Sequence, residues 1–449
     1  VNQVVLLSWQ GTLLSTDAKG GLVQRPFIDL DEATVRLELP SLIGSFGHYL
    51  SGGDALEIPI AAGPLRGFTA NLSVDRGAFS FARDGLFLSA ELDLHISRDG
   101  KTAQGCEFFF PVRLVDLAHL RMILANDWLL REELTLIRRS EISIATGHRL
   151  RFGSRLLDLR DHLPFDDRTL PRRFTIYGEG WRIGHAYRYQ PLVYFVAFGD
   201  PAILAQLRVA IETLSMFGHY EGPILLITDT SPAVLRDILG KFYPSRVMVR
   251  RIVPRDRTGF LAARYAILDF EEAALFQPIL YSDTDIVFDV PIAPFLQAIL
   301  CCDRISAPAE QFSLLTRDIS VGAQLLAADG AETRYAVGFN SGTLGIPNLE
   351  DHGDTLRLIR RVLTNRCDLF GRRNRGFIDQ PVANYVAFSN TAVDTGVLTP
   401  FVRYAWAGDE PDAAERRGLV HFFPPRSAQA KHAAMERYQA RLLAVEGVS

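Results

Sequence analysis

The 449 residues carry a formal net charge of −4, with 48% hydrophobic and 22% charged residues, the proportions of a globular protein. That balance excludes an electrostatic footprint for nonspecific nucleic-acid binding and leaves local basic stretches such as Arg372-Arg373-Asn374-Arg375 as anion contacts at most. No run nears the ~20 uninterrupted apolar residues of a spanning helix, and the length implies roughly two to three domains.

The four cysteines, Cys106, Cys301, Cys302 and Cys367, have neither zinc nor disulfide spacing, so reduced, mostly buried thiols are expected. The opening Val1-Asn2-Gln3-Val4-Val5-Leu6-Leu7 lacks a basic n-region and a small-residue cleavage site. A cytoplasmic chain is expected, free or peripheral at a membrane.

Residues 1–150 consist of short β-rich runs broken by Gly, Asp and Asn. Gly11-Thr12-Leu13-Leu14-Ser15, Gly47-His48-Tyr49-Leu50-Ser51 and Gly85-Leu86-Phe87-Leu88-Ser89 share a turn glycine, a short strand and a serine, and Asn126-Asp127-Trp128-Leu129-Leu130 is a looser fourth copy. Spacings of roughly 36–41 residues match one β-trefoil lobe. The stretch Phe79 to Glu91 resembles the β-trefoil domains of the fascin-like class, which implies an all-β, trefoil-like N-terminal domain; a generic β-sandwich is the alternative. Residues 151–190, rich in Arg, Asp and Pro but holding Phe174, Ile176, Tyr177 and Trp181, read as a packed connector.

Residues 191–449 alternate strands and helices. Leu192 to Phe198 is a continuous apolar run of the kind buried on both faces of a sheet, and a helix is expected from Pro201 to Phe217. Pro223 to Asp229, a helix through Leu235, Ile238 and Leu239, a strand at Val247-Met248-Val249 and a helix from Phe260 to Phe270 follow. The order implies a mostly parallel α/β sheet, with ligands beyond the carboxyl ends of its strands.

Asp283-Thr284-Asp285 stands at such an end, after Pro278-Ile279-Leu280-Tyr281-Ser282 and before Ile286-Val287-Phe288. On an extended strand residues i and i+2 share a side, so both carboxylates can converge on one hard cation. Asp29-Leu30-Asp31 has the same spacing without the apolar frame and reads as a solvated loop. Three later segments are also candidates: Phe339-Asn340-Ser341-Gly342, Asp379-Gln380 with Asn384, and Leu419-Val420-His421-Phe422. Taken singly, Asn340 caps a turn, Asp379 caps a helix and His421 is an ordinary buried histidine.

In order, these four segments resemble the signature of family 8 glycosyltransferases, the glycogenin and galactosyltransferase type with a GT-A fold, over roughly Leu192 to Lys431. The resemblance implies a manganese (or magnesium) ion on Asp283, Asp285 and His421 that holds the diphosphate of a nucleotide-sugar donor, with UDP as the expected nucleotide and a retaining transfer. It implies that Asn340, Asp379 and Gln380 handle the transferred sugar, and that Ala197, Phe198, Gly199 and Thr284 border the nucleotide. Arg264 would touch the diphosphate; pairing with Glu271 or Glu272 is its alternative. The family's Gly and Lys after the histidine are replaced by Pro424-Pro425-Arg426, leaving Arg426 as the expected phosphate contact.

The implied partners are the donor and a carbohydrate, glycolipid or protein acceptor, with no nucleic acid and no transmembrane segment; an oligomer is compatible. A catalytically inactive scaffold that binds a glycan or protein, and a metal-dependent phosphohydrolase, are the competing readings. No GxxxxGK[ST] or G-x-G-x-x-G sequence favours a P-loop hydrolase or a dinucleotide oxidoreductase.

Overall fold

The computed structural model describes residues 2–27, 31–39, 45, 56–73, 75–162, 172–178, 181–243, 247–331, 335–373, 379–406, 408–423 and 427–447. The chain divides into two compact units, Val1–Arg188 and Tyr189–Ser449.

In the first unit the strand Asn2–Ser8 pairs antiparallel with Phe109–Arg113 and Arg36–Leu39 and is buried on both faces. Its side chains alternate between two cores: Val4 and Leu6 pack with Phe79, Phe81 and Phe109, whereas Val5 and Leu7 pack with Phe110, Trp128 and Phe152. The helix Leu114–Ala125 adds Leu117, Leu120 and Ile123 to the second core. All described strand pairs of this unit are antiparallel.

The described strands do not show a trefoil. The first repeat copy forms Leu13–Thr16, one strand from the edge of the large sheet; the third forms Leu86–Ala90, in a branching hairpin; the fourth forms Trp128–Leu130, in a separate four-stranded sheet. Copies of a symmetric lobe would hold equivalent positions, and these do not. The copy Gly47–Ser51 lies outside the described residues. Within the 151–190 stretch, the hairpin Arg173–Gly178 and Trp181–Arg188 pairs its second strand with Trp128–Leu130 of the first unit.

The second unit is built on a seven-stranded sheet in the order Val247–Arg251, Ile224–Thr228, Leu192–Ala197, Ile279–Ser282, Thr343–Ile346, Ile305–Ser306, Val393–Asp394. Leu192, Tyr194, Ile279 and Tyr281 enter one core, and Val193, Phe195, Ala197 and Leu280 the other, as the unbroken apolar runs require. The sheet is mixed: Thr343–Ile346 runs antiparallel to both neighbours, while the other described pairings of this sheet are parallel. That reversal pairs Thr343 with Ser282, so the turn preceding the later strand meets the end of the earlier one. Asp283 N–H donates to Gly342 O at 2.8 Å across that meeting point.

A small sheet completes the frame. Ile286–Phe288 pairs antiparallel with Leu419–Phe422, with Ile286 opposite His421, and this brings the histidine beside Asp285. The helix Pro201–Met216 starts at the Asp200 cap, whose carboxylate accepts from Ala202 N–H at 2.8 Å. The expected Phe260–Phe270 helix begins earlier, at an Asp256 cap, as Arg257–Ala262 and tightens into 3₁₀ turns over Ala263–Asp269. The C-terminal helix Ala428–Glu446 packs Ala434, Met435, Tyr438 and Leu442 against Val209, Phe217 and Phe422.

Cys106, Cys301 and Cys302 form no disulfide among the described residues and are partly exposed rather than buried; the latter two lie where the helix Ala293–Leu300 ends. Among the described residues, no helix is long and apolar enough to cross a membrane.

Candidate metal centre and its two cavities

Asp283, Asp285 and His421 come together at the strand end, with one donor atom from each lying within 4.8 Å of the others. Asp285 Oδ1 is 3.1 Å from His421 Nε2, in ion-pair range but without hydrogen-bond alignment. That oxygen and His421 Nδ1 are buried polar atoms with no hydrogen-bond partner. Gly342 faces them, and a Cβ added there would sit 2.6 Å from Asp283 Oδ2, 2.7 Å from His421 Cε1 and 2.9 Å from Asn340 Oδ1. Two carboxylates, an imidazole and a space that a methyl group would fill fit a divalent ion such as manganese or magnesium.

The two carboxyls are pushed in opposite directions. Burial works to raise Asp285, but His421 and then Lys431 outweigh it and hold the group below the usual carboxylate range. Burial raises Asp283 above its ordinary value; Arg264 pulls against this and Asp285 adds to it. The Tyr281 hydroxyl donates a short hydrogen bond to Asp283 Oδ1.

Arg264 is fixed by the site and not by Glu271 or Glu272, the latter of which pairs with Arg250. Its Nη2 lies 2.7 Å from Asp379 Oδ2 and 3.9 Å from Asp283 Oδ1, and its Nη1 donates to Ser341 O and Oγ at 2.9 and 2.8 Å. The guanidinium lies 5.3 Å from the centre of the Tyr281 ring. One side chain thus ties the Asp283 strand end to the Asn340 turn and to the helix Asp379–Ser389.

The amides form a second network. Asn340 Nδ2 and Ser341 N–H both donate to Gln380 Oε1 at 3.3 Å, while Asn340 Oδ1 accepts from Gly342 N–H at 2.9 Å. Gln380 Nε2 donates to Glu310 Oε2 at 2.5 Å and to Ser320 O at 3.2 Å. Burial pushes the Glu310 carboxyl up to about 7, against the downward pull of the Gln380 hydrogen bond. Asn384 is fully buried and clamps Phe339 from both sides, accepting from its N–H at 2.8 Å and donating to its C=O at 2.9 Å.

Two cavities meet at the cluster, sharing Arg264, Asp283, Asp285 and Lys431. The first, of about 510 Å³, is walled by Val196, Phe198, Phe260 and Thr284, with the Phe198 and Phe260 rings edge to face at 5.2 Å. The second, of about 570 Å³, is lined by Glu310, Asn340, Asp379 and Gln380, and by Trp406 and Phe423, whose rings lie 4.8 Å apart.

Of the expected nucleotide contacts, Phe198 and Thr284 line the first cavity, whereas Ala197 and Gly199 do not. Ala197 points into the core, and Gly199 turns away with its N–H donating to Asp229 at 3.0 Å. Arg426 lies outside the described residues, as do Asp29 and Leu30 of the control pair; Asp31 pairs with Arg25 at 2.5 Å in an exposed loop.

Glu310, Lys431 and Gln206 also line the two cavities, without a motif that marks them in the sequence. Glu310 gave only a weak signal, a lone charge in the small-residue run Ala307-Pro308-Ala309, and Lys431 is the next lysine after His421. Thr284 Oγ1 donates to Gln206 Oε1 at 3.3 Å, and Gln206 Nε2 donates to Ala428 O at 2.7 Å.

Neither a protein-family model nor a curated protein matches the chain. Among solved structures it is similar to the galactosyltransferase LgtC in complex with donor and acceptor sugar analogs, at 16% identity and a TM-score of 0.38, covering 56% of this chain and 94% of that one. It is similar to the apo form of mouse xyloside xylosyltransferase 1, at 14% identity and a TM-score of 0.37, over 52% of this chain and 96% of that one. A further likeness is to the apo bifunctional glycosyltransferase WbbM, at 10% identity and a TM-score of 0.41, over 68% of this chain and 56% of that one. At these scores the likenesses are partial.

Proposed function

We propose that residues 191–449 transfer a sugar from a nucleoside diphosphate donor, with UDP as the expected nucleotide, to a carbohydrate-bearing acceptor, with a divalent manganese or magnesium ion held by Asp283, Asp285 and His421. The observation that carries this reading is the position of that cluster between two cavities of different character. The first offers aromatic walls for a base and cationic groups for phosphates; the second offers carboxylates, amides and an aromatic face for sugar hydroxyls and rings.

The ion would supply Lewis-acid stabilisation of the departing diphosphate. The chain's own residues do the rest. Arg264 places a fixed positive charge beside the shared edge of the cavities, where negative charge builds on the leaving group. Asp379, held by Arg264, fixes hydroxyls of the transferred sugar, and Gln380, whose amide is held by Glu310, Ser320, Asn340 and Ser341, lies against the charge that develops at the reacting carbon. Asn340 orients Gln380 and the Gly342 amide together. Trp406, 43% exposed, gives the acceptor a ring to stack on. By the resemblance of its motifs to family 8 glycosyltransferases, the transfer is expected to retain anomeric configuration.

A screen of nucleotide sugars with and without manganese, scored for thermal stabilisation and slow donor hydrolysis, tests this. A matching donor raises the melting temperature only with the ion present. Stabilisation by no donor, with or without the ion, refutes the proposal and favours a scaffold; release of inorganic phosphate without sugar transfer favours a phosphohydrolase.

A further inference from the structure

The metal cluster has a fourth member, contributed from the end of the chain. Lys431 Nζ lies 2.5 Å from Asp285 Oδ2, while the other Asp285 oxygen faces His421. Both partners are enclosed, with the Lys431 side chain 17% exposed and that of Asp285 11%. An ammonium therefore already neutralises the carboxylate on which a divalent ion depends.

The backbone that carries Lys431 is held in place. Lys431 is the fourth residue of the helix Ala428–Glu446, and Gln206 grips the carbonyl of Ala428 at 2.7 Å. Seven residues further on, and therefore on the same helix face, the Tyr438 hydroxyl donates to the fully buried Asp289 at 2.8 Å, and Arg403 binds the same oxygen at 2.6 Å. What remains free to move is the flexible four-carbon stem of the lysine. The same side chain borders the first cavity, where the N-terminal end of this helix and Arg264 also lie.

We propose that Lys431 is the resident counter-ion of the cluster: its ammonium holds the Asp285 oxygen that a divalent ion needs, swings off when the ion binds, and is then taken up by the phosphates of the donor. A monovalent charge on a tethered stem and a divalent ion cannot share one carboxylate oxygen without strong repulsion, so the ion alone binds against Lys431. An anion in the first cavity gives the displaced ammonium a new partner, beside a helix N-terminus that also favours negative charge. Ion and diphosphate therefore bind cooperatively, through one side chain. This inference rests on the proposed metal site.

The test is Mn²⁺ binding to the whole chain, followed by the loss of the free-ion electron paramagnetic resonance signal, with and without UDP. Wild type, Lys431→Met, Lys431→Gln and Asp285→Asn are compared, with melting temperatures as the check on folding; Lys431→Gln keeps a hydrogen-bond donor should the methionine variant fold poorly. Removing the ammonium is expected to tighten binding of Mn²⁺ alone by about tenfold, and UDP is expected to tighten Mn²⁺ binding more in wild type than in either lysine variant. Equal or weaker Mn²⁺ binding by both lysine variants, with binding still lost in Asp285→Asn, overturns the counter-ion role and leaves the metal site standing. Unchanged binding in Asp285→Asn overturns the site and the inference together.

Discussion

A Cβ on Gly342 would lie 2.6 Å from Oδ2 of Asp283, so the absence of a side chain at one residue is what leaves room for a ligand at the other. The antiparallel pairing of Thr343–Ile346 with Ile279–Ser282 creates this closeness. Gly342→Ala is expected to lower Mn²⁺ affinity roughly tenfold or more, as loss of supporting geometry does at other metal sites, and to cost about 1–3 kcal/mol of stability, because the added methyl must displace enclosed atoms of Asp283, His421 and Asn340. Calorimetric titration of Mn²⁺ in the presence of UDP reads it.

Arg264 makes a fan of contacts that a point charge cannot reproduce, to Asp379, to both oxygens of Ser341 and, more distantly, to Asp283. Arg264→Lys should keep the fold and the ion but weaken UDP binding about tenfold or more, because the planar fork is lost while the charge remains. Arg264→Met should in addition destabilise the unit by on the order of 3 kcal/mol, since it leaves two enclosed carboxylates without their partner. Equilibrium unfolding separates the two effects.

Glu310 gives stability a pH dependence whose sign can be worked out. Unfolded, its carboxyl titrates near the ordinary 4.5; folded, it titrates near 7. Below the lower value both states hold the proton, and between the two the folded state binds more protons, so stability falls as pH rises through this window, by up to about 3 kcal/mol. Glu310→Gln, which keeps an acceptor for Gln380, should therefore match wild type near pH 4 and exceed it progressively up to pH 7 and beyond. Denaturant melts across that range, without divalent ions, check it; a stability gain independent of pH contradicts it.

Asn384 ties the helix Asp379–Ser389 to the strand Val337–Phe339 through both the backbone N–H and the backbone C=O of Phe339. Asn384→Leu strands the N–H and C=O of Phe339 in the core and should cost on the order of 3 kcal/mol. Because Asp379 and Gln380 stand on the same helix, the variant should also lose transfer activity at temperatures where it remains folded.

Much of this was legible in the chain because it is local. The run Leu192 to Phe198 is apolar at every position, which is what a strand between two cores demands, and Asp283 and Asp285 lie two residues apart at the end of such a run. The direction of Thr343–Ile346 was not legible, because strand polarity depends on which edge the chain returns to, and a small-residue turn before an apolar run reads the same either way. Lys431 was hidden for another reason. Its helix opens Ala-Gln-Ala-Lys-His, a polar surface pattern, and only the anchoring of Tyr438 on Asp289 decides which face turns inward. In the first unit, repeated glycine turns suggested symmetric lobes, yet a turn glycine with positive φ, as at Gly11 and Gly85, serves any hairpin and carries no information about sheet order.

The proposed activity stands or falls on Asp283, Asp285 and His421 holding an ion for a nucleotide diphosphate. Its most direct test is calorimetric titration of UDP into wild type and Asp285→Asn, each with and without Mn²⁺. UDP is expected to bind wild type only with Mn²⁺ present and not to bind a folded Asp285→Asn protein; binding of equal strength in both, with no dependence on the ion, would show that the cluster holds no such ion.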